Sequence, residues 1–261
     1  MTFLTLYNDD CLTALKDIPD KSVDLIICDL PYGCLTGGGN LTNPRGSSYG
    51  QNHCSWDIKI DLQPFWNEIK RIRKNDNSPT IHFCTTKFGY ELIQSNPSEF
   101  RYDLVWDKQR GVSFLSANKM PMRSHEMLYV FSKAGAYYNR VDVVGDFKQS
   151  GGGRDKTGSV SRQYGVKMTR DETDNKGKRC VLSVIQNPNS STREGHPTEK
   201  PTDLYRFLIE RYCPVGGTVL DPTFGSGNSV FTAFEMGRNA IGIEKDAEFF
   251  KKAKVKFDAI H

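Results

Sequence analysis

Between Thr218 and Glu244 the chain reads as strand, glycine turn, helix and second strand ending on an acid, and few folds accommodate that order. Thr218-Val219-Leu220 is short and apolar, and Asp221-Pro222-Thr223-Phe224-Gly225-Ser226-Gly227-Asn228 forms the turn. Val230, Phe231 and Phe234 share one face of a helix that closes at Gly237, and Ala240-Ile241-Gly242-Ile243 runs into Glu244. Two strands joined by a helical crossover lie parallel, with both sheet faces covered. Glycines in the turn let the backbone approach a nucleotide-like ligand. An acid at the end of the second strand accepts hydrogen bonds from ribose hydroxyls.

The turn departs from the dinucleotide fingerprint at two positions. Val230 stands where a third glycine would, and Asp221 precedes the turn. A carboxylate facing such a loop repels a pyrophosphate and attracts an ammonium or sulfonium. The chemistry therefore favours S-adenosylmethionine over NAD or FAD, and disfavours a nucleotide-dependent oxidoreductase.

A second motif lies nearly 200 residues earlier. The apolar run Val23-Asp24-Leu25-Ile26-Ile27-Cys28 predicts a buried strand, and Asp29-Leu30-Pro31-Tyr32 follows it, closed by Gly33. Pro31 donates no N–H, so neighbouring carbonyls are left to accept. Asp29 adds an acceptor and Tyr32 a π-face on which a planar base stacks. Two acceptors beside a stacking platform can read an exocyclic amino group. Taken alone, the tetrapeptide is better described as an Asp-Pro turn after a strand, and the far end of the chain reverses that balance.

Elsewhere, Asn8-Asp9-Asp10 caps a short helix ending before Pro19, and Asp61 caps a helix bearing Phe65, Trp66, Ile69 and Ile72. Strands are expected at 80–84, 102–106 and 127–131, and helices near 88–93, from Leu204 to Tyr212 and from about 247 to 257. His125 and Glu126 lead into one of these strands. They are candidates for catalysis, although a polar pair there is commonly structural. From Cys34 to Ser55 glycine and asparagine dominate, which predicts a mobile loop, 34–55, closing on substrate. Between Lys133 and Arg193 stand 12 Lys and Arg against 6 Asp and Glu, in a chain of net charge +4. Arg154, Lys156, Arg162 and Lys167 there are interleaved with Phe147 and Tyr164, a mixture suited to phosphate contacts and stacking.

Seven scattered cysteines without a Cys-x-x-Cys pair, and five scattered histidines, argue for reduced thiols and against a metal site. No run approaches membrane-span length and the N-terminus lacks a signal-peptide pattern, so a soluble, intracellular protein is expected.

Asp221-Pro-Thr-Phe-Gly-Ser-Gly227 and Asp29-Leu-Pro-Tyr32 resemble the cofactor and catalytic motifs of the amino-directed (N6-adenine/N4-cytosine) DNA methyltransferases. The order, catalytic motif first, resembles the circularly permuted β class. The resemblance covers Asn8 to Gly33, Asp57 to Lys133 and His196 onward, with His196-Pro-Thr-Glu-Lys-Pro201 as a third matching stretch. It implies an α/β fold: a doubly wound, mostly parallel, Rossmann-like sheet with one antiparallel hairpin and an inserted target-recognition segment. The single domain would comprise a catalytic half, 1–132, the insertion, 133–193, and a cofactor-binding half, 194–261.

Carried over by position, Phe224, Gly225 and Gly227 would line S-adenosylmethionine and Glu244 would hold its ribose. Asp221 would sit near the methionine ammonium, Thr198 and Lys200 near the carboxylate, and Asp10 near the adenine. Asp29, Leu30, Pro31 and Tyr32 would act on a base flipped out of duplex DNA. Leu30 departs from the family, which usually has proline there, but the role is that of a backbone carbonyl. An Asp at the first motif position goes mostly with adenine, so N6-adenine methylation is expected. N4-cytosine methylation, the same chemistry on RNA, and a non-catalytic nucleic-acid-binding protein with this fold remain the alternatives. No nuclease motif stands out, so any endonuclease partner would be a separate chain; a homodimer is compatible with the sequence.

Overall fold

The computed structural model describes residues 2–33, 58–112, 114, 117–145, 177–188 and 199–259. The loop expected at 34–55, Thr198, and Arg154, Lys156, Arg162 and Lys167 lie outside the described residues. The chain divides into a large unit, Met1–Asn139 with Ser183–His261, and a small one, Arg140–Leu182.

In the large unit, strands β1 (Leu4–Tyr7), β2 (Leu25–Cys28), β3 (Thr80–Cys84), β4 (Phe100–Val112) and β5 (Arg123–Phe131) precede the small unit. The small unit contains β6 (Val143–Val144) paired antiparallel with β7 (Lys178–Arg179). The large unit resumes with β8 (Val184–Gln186), β9 (Thr218–Asp221) and β10 (Asn239–Ile243). Its eight strands lie in the order β1-β10-β9-β2-β3-β5-β4-β8. Only β5 runs against the others, pairing antiparallel with β3 and β4. The expected mostly parallel sheet with one antiparallel hairpin is therefore the observed one. Strands β1 and β8 are additions to the sequence reading.

Helices cover both faces. On one lie α1 (Cys11–Ala14), α2 (Leu62–Ile72) and α3 (Thr86–Ser95), packed with Ile26, Cys28, Leu220 and Ile241. On the other lie α4 (Thr202–Tyr212), α5 (Asn228–Glu235) and α6 (Ala247–Asp258), packed with Leu25, Ile27, Val219 and Ala240. Alternate residues of one strand thus enter opposite cores, which is why β2 is apolar throughout and β9 carries Val219 and Leu220 at its centre. In α2 the buried Phe65, Trp66, Ile69 and Ile72 form a single stripe, and the Asp61 carboxylate accepts from Gln63 N–H at its start. Pro201 occupies the N-cap of α4, where its missing N–H costs nothing.

His82 on β3 is wholly buried, and neither ring nitrogen has a hydrogen-bond partner among the described residues. Its ring meets those of Trp66, Phe131 and Phe65 edge-on at 5.2, 5.7 and 5.8 Å. Burial holds it neutral, pushing its pKa down from 6.5 to about 3. Between those values the unfolded chain binds the extra proton, so stability is present near neutrality and is lost as pH falls. From pH 7 to 5 His82 is expected to remove about 2 kcal/mol. Urea midpoints at both pH values should show His82→Phe losing less than wild type; equal losses would clear His82 of the effect.

Candidate active site at the strand switch

Strands β2 and β9 are neighbours, with Leu25 opposite Val219 and Ile26 opposite Leu220. From β9 the chain crosses to β10 on one side, whereas from β2 it crosses to β3 on the other. The carboxyl ends of such a pair open a crevice, because the connecting helices diverge there. Both sequence motifs lie at that point, and they touch: the Thr223 hydroxyl donates to the Asp29 carbonyl at 3.1 Å.

A cavity of about 680 Å³ opens there, lined by Asp29, Leu30, Pro31 and Tyr32 and by Asp10, Lys200, Phe224, Gly225 and Glu244. Its size suits a nucleoside-bearing ligand. At the β10 end, Glu244 Oε2 accepts from Gly225 N–H at 2.9 Å and Oε1 from Asp246 N–H at 2.8 Å. These two bonds aim the carboxylate, whose remaining lone pairs suit a vicinal diol. Burial raises the pKa of Glu244, partly offset by the same N–H donors. Asp10 caps α1 through Leu12 N–H and pairs with Lys245 Nζ at 3.0 Å. Phe224 and Phe249 add apolar wall. The Phe224 ring lies so close over β10 that a Cβ at Gly242 would stand 2.6 Å from it.

Two of the expected cofactor residues lie behind the wall. Asp221 is 2% exposed, and its oxygens face the loop, accepting from Thr223 N–H at 2.9 Å and Ser229 Oγ at 2.5 Å. Burial pushes its pKa up to about 7, against those two donors. Its place is under the turn, which it holds in shape. Gly227 caps α5 in the left-handed region, φ +85°, and shapes the turn without lining the cavity.

At the other end, Asp29 is gripped on both oxygens. Tyr32 Oη donates to Oδ1 at 2.8 Å, and Lys200 Nζ meets Oδ2 at 2.5 Å. Lys200, expected near the cofactor carboxylate, is thus placed on Asp29. Tyr32 lies 5.2 Å from the Phe88 ring, centroid to centroid. Leu30 is buried in the core below, so burial holds the position where the family has a proline ring. Among the described residues no donor reaches its carbonyl.

Behind Asp29 stands Glu126, one of the polar pair whose sequence position fits either a catalytic or a structural role. Glu126 on β5 lines the cavity, 3.7 Å from Lys200 Nζ, and pairs with Lys108 Nζ of β4. Burial alone would raise its pKa, but Lys200 and Lys108 outweigh burial and hold it low. Burial likewise opposes the charge on Lys200, yet Asp29 and Glu126 raise its pKa. The detectable signal was strand parity. Glu126 shares a face with Leu128 and Val130, which are core residues, and Lys108 shares one with Leu104 and Trp106. His125, on the opposite parity, is exposed.

Cys11 also lines the cavity, but burial pushes its thiol up to about 12, so it supplies no thiolate. Among the described residues, no three His, Cys, Asp or Glu side chains gather to hold a metal, and no helix is long and apolar enough to cross a membrane.

An open doubly wound sheet, a nucleoside-sized cavity at its switch point and a ribose-type acid beside a glycine turn define a Rossmann-like methyltransferase fold. The DNA methylase family model, N6/N4 type, matches residues 23–255, and the chain belongs to that family. It is a DNA methyltransferase of the amino-directed kind, with S-adenosylmethionine as cofactor. The type II methyltransferase M.HinfI of Haemophilus influenzae is 27% identical over 272 residues, covering 98% of this chain and 68% of that protein. The M1.HpyAVI–SAM complex matches with TM-score 0.59 at 20% identity, covering 97% of this chain and all of that one. The PvuII methyltransferase, cytosine-N4-specific, matches with TM-score 0.65 at 15% identity over 98% and 87% of the two chains. These two structural likenesses are of fold.

Proposed function

We propose that this chain methylates the exocyclic N6 amine of an adenine flipped out of duplex DNA, and that it belongs to the permuted β class. The class rests on motif order, with Asp29 to Tyr32 ahead of Asp221 to Gly227. The observation that carries the reaction is that Asp29 and Tyr32 line the same cavity as Gly225 and Glu244.

Glu244 would hold the ribose, Phe224 and Gly225 would line the cofactor, and Asp10 would lie toward its adenine. When bound, S-adenosylmethionine supplies an electrophilic methyl on a sulfonium. The target amine is a poor nucleophile because its lone pair is delocalised into the ring. Donation of its two N–H groups to Asp29 and to the Leu30 carbonyl would localise that pair. Tyr32 would stack on the base, and the crevice would fix its angle of approach. Both are the ordinary means by which a pocket acts on a flipped base.

Adenine is favoured by Asp at the first motif position, as the family resemblance implies. The second reading, N4-cytosine, draws on the PvuII likeness, which at 15% identity bears on fold alone. Arg154, Lys156, Arg162 and Lys167 are assigned to DNA phosphates on the charge of their segment, and loop 34–55 to closure over the site.

Nucleoside digestion and mass spectrometry of duplex DNA methylated in vitro should show N6-methyladenine as the main product. N4-methylcytosine would overturn the base assignment and leave the family untouched. Binding measured over a salt series on the same duplex should flatten when the four basic residues are neutralised together, since fewer counterions are released. An unchanged slope would remove them from the interface.

A further inference from the structure

Asp29, on the reading above, must accept an N–H from the target amine, yet both its oxygens are already engaged. An ammonium on Oδ2 draws electron density from the carboxylate and so weakens it as an acceptor for the amine, even though lone pairs remain. Lys200 cannot turn to solvent, being 6% exposed, and its ammonium lies over the Phe83 ring, 5.2 Å from the centroid. Any release from Asp29 therefore needs another buried acceptor, since an uncompensated buried charge is costly.

Glu126 has that acceptor. Its Oε1 is tied to Lys108, while Oε2 is buried with no hydrogen-bond partner among the described residues. A buried carboxylate oxygen left in this state calls for an explanation. It stands 3.7 Å from Lys200 Nζ, so a movement of about 1 Å brings the ammonium to hydrogen-bond length. Lys108 keeps Glu126 fixed during that movement. The row Lys108, Glu126, Lys200, Asp29 alternates in charge, so the ammonium moving along it stays between two carboxylates.

We propose that Glu126 is a positioning residue for methyl transfer, the seat that receives the Lys200 ammonium when the target amine claims Asp29. The step is a shift of hydrogen bonds: no covalent bond changes and Lys200 keeps its proton. Without the seat, Lys200 stays on Asp29 and competes with the amine. The loss then appears in the rate of transfer and not in the binding of cofactor or duplex.

Single-turnover methylation by Glu126→Gln is expected to be about thirtyfold or more slower than wild type, with affinities for cofactor and duplex within about threefold. Glu126→Asp, which restores a carboxylate, is expected to recover at least about fivefold over Glu126→Gln. A second readout needs no change at Glu126. In folded wild-type protein the Lys200 Nζ resonance, assigned through Lys200→Arg, should move on binding the target duplex. It should not move with the same duplex lacking the amine on the target base. Transfer by Glu126→Gln within about threefold of wild type overturns the proposal, as does matched loss of rate and affinity or a resonance indifferent to the amine. Asp29→Ala measured alongside separates the two readings. An active Asp29→Ala removes the premise about Asp29, whereas an inactive one beside a near-normal Glu126→Gln removes Glu126 alone.

Discussion

Asp29→Ala is expected to cut methyl transfer at least about a thousandfold while S-adenosylmethionine affinity stays within about threefold. The carboxylate sits at the Tyr32 end of the cavity, whereas the groups suited to the nucleoside, Glu244 and Gly225, lie at the β10 end. Removing Asp29 deletes the acceptor for the amine and leaves the Leu30 carbonyl alone to polarise it. It also takes one carboxylate from Lys200, which still faces Glu126 Oε2 at 3.7 Å. Asp29→Asn keeps a neutral acceptor of the same shape and should fall between alanine and wild type. Single-turnover rates and cofactor titration on the same preparations give both quantities. Residual transfer within tenfold of wild type, about 1.4 kcal/mol of barrier, would take Asp29 out of the mechanism.

Gly227→Val should be the most damaging single change in the cofactor turn. At φ +85° a β-branched residue is strained, by about 1–3 kcal/mol. A Cβ there would also stand 2.3 Å from the Phe231 ring. That ring cannot give way, being 4% exposed and stacked on Phe257 at 5.3 Å. Overpacking of this kind adds about 1–3 kcal/mol. The melting temperature is expected to fall by roughly 10 °C, at a few degrees per kcal/mol for a chain of this size. Gly216→Val is the control. It has φ +74° but nothing within 4 Å of a Cβ, so it carries the strain without the clash and should lose markedly less. Equal losses at both positions would mean that the Phe231 contact relaxes freely.

Much of this architecture is legible in the residues because local pattern and tertiary role agree there. Strand β2 is a continuous apolar run, β3 and β9 are short, wholly buried runs rich in apolar residues, and α2 shows its stripe and its cap. Strand β1 passes unnoticed because its four residues are all only partly buried, at a sheet edge. Strand β8 stands in a stretch whose basic, glycine-rich character masks three residues paired with β4. In the site, the motif residues are identifiable one by one, but their mutual engagement is not. That Lys200 meets Asp29 follows from where α4 begins relative to β2, which no local pattern encodes. The Lys108–Glu126 pair was within reach: two opposite charges on the core-facing parity of neighbouring strands are rarely accidental. Asp221 shows the reverse case. A motif carboxylate suggests a ligand, and its two donors come from Thr223 of the turn and Ser229 at the start of α5.

The contact between Thr223 and the Asp29 carbonyl spans 194 positions of chain. Strand β9 sits in the middle of the sheet, between β10 and β2, yet it consists of residues 218–221. During synthesis β2 and β3 emerge early and wait for their central neighbour until most of the polypeptide exists. A loop that long is closed slowly, and until it closes β2 keeps an unpaired apolar edge. The crevice is therefore a late product of folding, completed only when β9 slots into place. A nascent or truncated chain can carry every residue of the catalytic motif and still have no site.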